Sequence, residues 1–314
     1  MIPQPMRVVL AVLFLWAPCF PLYSQNSSEP ESAMARYNHP YYDEVWAATS
    51  QDGKNYRNIS GPIFRHASVP EVVELDQDLA GQRAGSLLLY FVDFNDRPGP
   101  GEEQISLSTS RDGKQWSDAQ NISMAGRPFG GAAVDPSTVQ LEDGRLRMYF
   151  FGSELNELGD PANQRGPHKI YSAVSKDGLN FMVEPGVRFE GFGITDPEVI
   201  FTGKEWLMFL SKGQETFQAR SKDGLEFIRD KTAQFLDGGV PGAVMLPDGK
   251  VRVFLTRFGS IYQLDWDPDT STYDSHSLIL VIDKGKGLIV SDPSCVRKED
   301  GSYYFIFKYK NPDI

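Results

Sequence analysis

A phrase of the form Ser-x-Asp-Gly-x-x-aromatic occurs four times along the chain: SQDGKNY ending at Tyr56, SRDGKQW at Trp116, SKDGLNF at Phe181 and SKDGLEF at Phe227. A second phrase interleaves with it: VPEVVEL from Val69, DPSTVQL from Asp135, DPEVIF from Asp196, VPGAVML from Val240 and DPSCV from Asp292. Its prolines stand at 70, 136, 197, 241 and 293, with gaps of 66, 61, 44 and 52 residues. A period of that size means an array of similar supersecondary units, none of which buries its apolar face alone.

Each unit reads as four short strands. In the second they run Pro136 to Leu141, Leu146 to Phe151, Lys169 to Val174 and Phe181 to Phe189, punctuated by Asp143-Gly144 and Asp177-Gly178. Asp-Gly between β-rich runs predicts a two-residue hairpin turn with positive φ at both central positions. Helical periodicity is almost absent, so the fold class is all-β and the units are propeller blades. The start of the blade region holds only the third and fourth strands of a unit, Val45 to Thr49 and a strand near Tyr56. The end holds only the first and second, Asp292 to Val296 and Tyr303 to Tyr309. The two halves make one blade, which predicts a five-bladed β-propeller with ring closure by pairing of the N- and C-terminal half-blades. The fourth unit keeps only a degenerate box, WDPDTSTYD at 266–274.

Ahead of the blades, Arg7 is followed by the apolar run VVLAVLFLWAPCF and then small polar residues from Ser24 to Ser28. This is the pattern of a secretory signal peptide, too short to span a bilayer, with cleavage near Ser24 or Gln25. Trp16, Ala17 and Pro18 ahead of Cys19 do not fit a lipid-anchor signal. The expected organisation is a signal peptide over 1–25, a flexible segment over 26–42 and one propeller domain over 43–314. Signal removal leaves Cys295 alone, so stability must come from packing rather than a disulfide. A net charge of −11 without a basic run excludes nucleic acid and anionic membrane surfaces as partners. The expectation is a monomer in the extracellular or periplasmic space.

Strand direction decides where chemistry can sit. The Asp-Gly turns fall on one face of the ring, and the long loops, Asp93 to Glu103 and Gly152 to His168 above all, fall on the other. Irregular loops on one rim of a rigid scaffold are where binding and catalysis concentrate. The innermost strands start at that rim, so Asp135, Asp196 and Asp292 aim carboxyls at the axial mouth, where Val69 and Val240 stand in the other two units. Glycoside hydrolysis needs two carboxyls at close range, and crowding raises the pKa of at least one. The competing reading is that Asp or Val before proline only caps the inner strand. Glu71 and Glu198 read equally as funnel carboxylates or salt-bridge partners. Glu154 and Glu215 are weaker acid candidates, and Arg65, His66, His168 and Arg257 are candidate substrate-binding residues. No cofactor is implied, no His/Cys cluster has metal-ligand spacing, and a single cation in the axial channel stays open.

Five units, inner strands opening in D-P-x-x-V, and S-x-D-G-x-x-F/W hairpins resemble the five-bladed propeller glycoside hydrolases of family 43 and their invertase and levansucrase relatives. The likeness covers roughly 43–310. It implies a carbohydrate partner and three carboxyls: an Asp on the first blade as base or nucleophile, an Asp on the third that tunes it, and a Glu on the fourth as acid. The third matches Asp196 in ITDPEV, but the first falls on Val69 and the fourth on Gly239-Val240. In the hydrolase reading Asp135 or Asp196 is the base and Asp292 a second carboxylate. The alternatives are a glycan-binding or scaffold propeller without turnover, and a sialidase-like hydrolase using Arg65, Arg127 and Arg257. The phrase S-x-D-G also resembles the sialidase Asp box, which has one more residue between Asp and Gly.

Overall fold

A computed structural model describes residues 40–94, 104–128, 133–152, 167–274, 279–282 and 289–310. All described residues belong to one compact unit within Ala33–Ile314. The expected signal peptide, Glu154 and the long loops after Asp93 and Gly152 therefore lie outside the described residues.

Five sheets form the propeller, antiparallel except where Ser123–Ala125 pairs in parallel with Asn180–Val183. Blade 1 starts with Ala67–Glu74, Leu87–Asp93 and Gln104–Ser110, blade 2 with Ala133–Gln140, Leu146–Gly152 and His168–Ser175, and blade 3 with Thr195–Phe201, Trp206–Lys212 and Glu215–Ser221. Blade 4 starts with Gly239–Met245, Val251–Arg257 and Ser260–Asp267. Blade 5 is Ile289–Arg297, Tyr303–Lys310, Asp43–Ser50 and Arg57–Arg65, and Asp43–Ser50 pairs with Tyr303–Lys310 over eight residues. Both ends of the propeller thus share one sheet.

The second strand of every blade lies between two neighbouring blades, so both its faces are covered and it reads as a nearly continuous apolar run. Alternate residues serve opposite sides. Leu88 and Tyr90 of blade 1 pack with Met148 and Phe150 of blade 2, whereas Leu89 and Phe91 pack with Tyr304 and Ile306 of blade 5. Equivalent clusters fill the other three joints, giving five inter-blade cores.

The Asp-Gly hairpins differ from the expected turn. Gly53, Gly113, Gly178 and Gly224 have positive φ, but the aspartates before them do not. The reason is side-chain competition. Asp177 Oδ1 accepts the N–H groups of Leu179 (2.9 Å) and Asn180 (2.8 Å) and the Ser175 hydroxyl (2.9 Å), and the same pattern recurs at Asp52, Asp112 and Asp223. An Asx-type turn replaces the two-residue one. In blade 4 Asp267 accepts from Asp269 and Thr270, Pro268 stands where the glycine would be, and a positive φ falls further along, at Ser271. The outer strand expected over 181–189 is also split, into Asn180–Val183 and Phe189–Gly191, around Pro185 and Gly186. Proline lacks the N–H a continuous ladder needs.

These boxes latch neighbouring blades together. The box glycine's carbonyl accepts a hydroxyl from the adjacent blade at three joints: Tyr90 to Gly178 (2.9 Å), Tyr149 to Gly224 (2.8 Å) and Tyr304 to Gly113 (2.6 Å). Arginines do the same at the other two, Arg252 to Gly53 O (2.7 Å) and Arg220 to Pro268 O (2.6 Å). Tyr149→Phe keeps the packing but leaves Gly224 O unpaired, so it is expected to cost about 1 kcal/mol in urea unfolding. A change below the resolution of that measurement would mean the latch adds nothing beyond packing.

Candidate functional site

Each inner strand carries the same irregularity at its start. Register shifts fall between Ser68 and Glu71, Val134 and Ser137, Thr195 and Glu198, Gly239 and Gly242, and Ser291 and Ser294. At each one the residue before proline is left-handed: Val69 (φ 47°), Asp135 (53°), Asp196 (50°), Val240 (49°) and Asp292 (49°). Valine is among the residues least suited to that conformation, so the ring architecture imposes it whatever side chain is present. The backbone therefore does not need aspartate there.

The five X-Pro pairs, with Glu71 and Glu198, line one axial cavity that leaves about 20 Å³ open, the room of about one water. Asp135, Asp196 and Asp292 are thus brought together. The Asp196 N–H approaches Asp135 Oδ2 at 3.4 Å, and Thr195 Oγ1 donates to Asp196 Oδ2 at 2.6 Å. Burial, with the charge of Asp292 second, pushes the Asp196 pKa up to about 6, against the opposing pull of the Thr195 hydroxyl and Lys308.

Beneath this ring the residue after proline reaches the next blade at four of the five joints. Glu71 accepts the Thr138 N–H (3.0 Å), Ser137 the Val199 N–H (2.9 Å), Glu198 the Ala243 N–H (2.8 Å) and Ser294 the Val72 N–H (3.0 Å). Each glutamate also takes a serine hydroxyl, Ser294 on Glu71 (2.6 Å) and Ser137 on Glu198 (3.3 Å). These carboxyls stitch the inner strands together, where the sequence left them open between funnel and structural roles. Burial pushes the Glu71 pKa up to about 7; burial and the nearby Glu71 charge raise that of Glu198 well above the ordinary value.

The sign of the resulting pH dependence follows from proton uptake. Above the ordinary carboxylate range the folded protein keeps protons that the unfolded chain has released, on Asp196 up to about pH 6, on Glu71 up to about pH 7 and on Glu198 as well, so stability falls as pH rises. The box aspartates have depressed pKa values, and their stabilisation is lost only as pH falls below the ordinary carboxylate range. The urea midpoint is therefore expected to be higher at pH 5.5 than at pH 8, by an amount equivalent to about 2 kcal/mol or more. A flat profile, or one rising with pH, would show that both glutamates ionise normally in the fold.

Lys308, Asp43 and Lys310, a charged group beside Asp292, are not among the sequence candidates. Lys308 Nζ lies 2.5 Å from Asp292 Oδ2 and 3.8 Å from Asp43 Oδ2, and Lys310 pairs with Asp43 Oδ1 at 3.1 Å. Burial acts to neutralise Lys308, but Asp292 and Asp43 outweigh it and raise its pKa above the ordinary value. Asp292 thus has a fixed counter-charge and the Ser291 hydroxyl at 2.6 Å. A lysine inside the apolar run YYFIFKYK was the available signal.

The remaining candidates lie on the rim and do not line the axial cavity. Arg65 pairs with Glu44 at 3.1 Å, and the His66 ring stacks on Tyr41 at 4.0 Å with Nδ1 2.7 Å from Tyr41 O. His168 Nδ1 is 2.8 Å from Ile194 O. Arg257 pairs with Asp237 at 2.7 Å and lies over the Phe258 and Tyr262 rings. Glu215 is exposed at the start of its strand, opposite Lys212. Among the described residues no cluster of His, Cys, Asp and Glu could hold a metal ion, and no helix is long and apolar enough to cross a membrane.

No protein-family model and no curated protein matches the sequence. Solved structures do match in fold. A thermostable family-43 glycoside hydrolase superposes with a TM-score of 0.59 at 16% identity, covering 79% of this chain and 85% of that one. A β-fructofuranosidase from Schwanniomyces occidentalis gives 0.56 at 16% identity, over 75% of this chain and 50% of that one. An N-acetylgalactosamine deacetylase from F. plautii, in complex with blood group B trisaccharide, gives 0.56 at 12% identity, over 85% and 95%. The chain spans about half the length of the fructofuranosidase. The protein has the five-bladed propeller fold found in family-43 and family-32 glycoside hydrolases.

Proposed function

We propose that the protein is a secreted carbohydrate-active propeller, a divergent glycoside hydrolase whose carboxyl pair is drawn from the axial aspartates. The supporting observation is the left-handed ring: valine occupies the same backbone shape, so aspartate in three of its five positions serves the space it faces. Asp196, which keeps its proton to about pH 6, is the general acid, and Asp135 beside it the carboxylate that takes the proton from water. In the reaction the glycosidic C–O bond breaks as Asp196 protonates the leaving oxygen. Water then forms the new C–O bond at the anomeric carbon and loses its proton to Asp135. Asp292, neutralised by Lys308, sets the field rather than moving a proton. The sialidase-like reading loses support, since the fold has five blades and neither Arg65 nor Arg257 lines the cavity.

A second reading, glycan binding without turnover, is favoured by Val69 and Val240, which remove carboxyls from two ring positions, and by an axial space that holds no sugar ring. Turnover of a panel of aryl glycosides by the wild-type chain decides between them. Release of the aryl alcohol from one or more of them supports hydrolysis. Binding of the same sugars with no release supports the second reading.

A further inference from the structure

Away from the axis, a groove of about 690 Å³ runs along the outside of the joint between blades 5 and 1. Its origin is topological. The outer strand of blade 5, Arg57–Arg65, is nine residues long, whereas that of blade 1 is only Gln120–Asn121. The chain leaves blade 1 early because Ser123–Ala125 crosses to pair in parallel with Asn180–Val183 of blade 2. The space left open has the volume of a ligand pocket, unlike the one-water space at the axis.

The chemistry of the walls selects the occupant. One wall offers Ser60, Pro62 and Phe64, the other Lys114, Trp116 and Asp118. Phe64 is fixed by stacking on Phe91 (4.6 Å), and Trp116 is held against Tyr304 (6.4 Å), so both rings are positioned without a ligand. An extended peptide adding to the Arg57–Arg65 edge is disfavoured, because Pro62 has no N–H and the strand's pairing is interrupted by two register shifts. One lysine against Asp118 and Asp93 disfavours a phosphate or sulfate group. Fixed rings flanked by hydroxyl, carboxylate and ammonium groups suit a neutral ligand with apolar C–H faces and many hydroxyls.

We infer that the groove between blades 5 and 1 is a second, non-catalytic binding site for a short neutral oligosaccharide. It goes beyond the proposed function and does not depend on turnover at the axis. The test is a protein-detected NMR titration of the ¹⁵N-labelled chain with arabino-, xylo-, fructo- and galacto-oligosaccharides up to ~10 mM. The Trp116 indole and the amides over 60–64 and 113–119 are expected to shift with at least one of them. Ser60→Trp, which fills the groove from an exposed position, should weaken that binding at least tenfold, and Lys114→Ala severalfold. Asp196→Asn should leave it unchanged, which separates this site from the axial one. Absence of shifts with every sugar overturns the inference, as do shifts confined to other residues or an affinity that neither groove variant alters.

Discussion

Asp196→Asn is expected to lower kcat/KM on any glycoside the protein cleaves by about 10³-fold while the chain stays folded. Asparagine is nearly the same size, tolerates the left-handed conformation better than most residues, and still offers Thr195 an oxygen to donate to. What it lacks is an exchangeable proton at the required pKa. The wild-type rate is accordingly expected to fall on the alkaline side of about pH 6, as Asp196 loses its proton to solvent. In the asparagine variant that limb should disappear from the residual activity. Circular dichroism and the urea midpoint of the variant establish that the fold is retained. Full kcat/KM in Asp196→Asn, on a substrate that wild type turns over, would remove Asp196 from the mechanism and the axial ring from consideration.

The blades were legible in the sequence because each one repeats the same two problems, ending an outer hairpin and starting an inner strand, and solves both with the same residues. Asp-Gly marked the hairpins correctly but suggested the wrong turn, since the side chain of Asp177 takes the backbone N–H groups that a two-residue hairpin would leave to the ladder. The X-Pro slot led to Asp135, Asp196 and Asp292 because strand direction alone puts all five slots at one mouth. Lys308 and Asp43 were not legible in that way. They meet across the seam where the two ends of the propeller pair, at a sequence separation that no local pattern spans. The groove was equally hidden, since it depends on the chain quitting blade 1 after Asn121 to pair with blade 2.

The inner stitching also explains why the blades tolerate such different residues after proline. Glu71, Ser137, Glu198 and Ser294 all present an oxygen to the next blade's N–H, and Gly242 presents nothing. At that fifth joint the strands touch directly. A Cβ on Gly242 would sit 2.0 Å from Pro293 O and 2.8 Å from its carbonyl carbon, so relief requires blade 4 to move away from blade 5. Gly242→Ala is therefore expected to destabilise the protein by about 4 kcal/mol or more, enough to prevent folding of a marginally stable domain. The control is Gly203→Ala, where a Cβ meets nothing within 4 Å and only the φ of +83° opposes it. That substitution should cost about 1 kcal/mol. Urea unfolding of both variants measures the difference, and equal costs would mean that the joint between blades 4 and 5 is not close-packed. Because Gly242 follows Val240-Pro241, a strained but folded Gly242→Ala chain should also shift the axial ring. Its effect on turnover should then exceed that of Gly203→Ala at the same fraction folded.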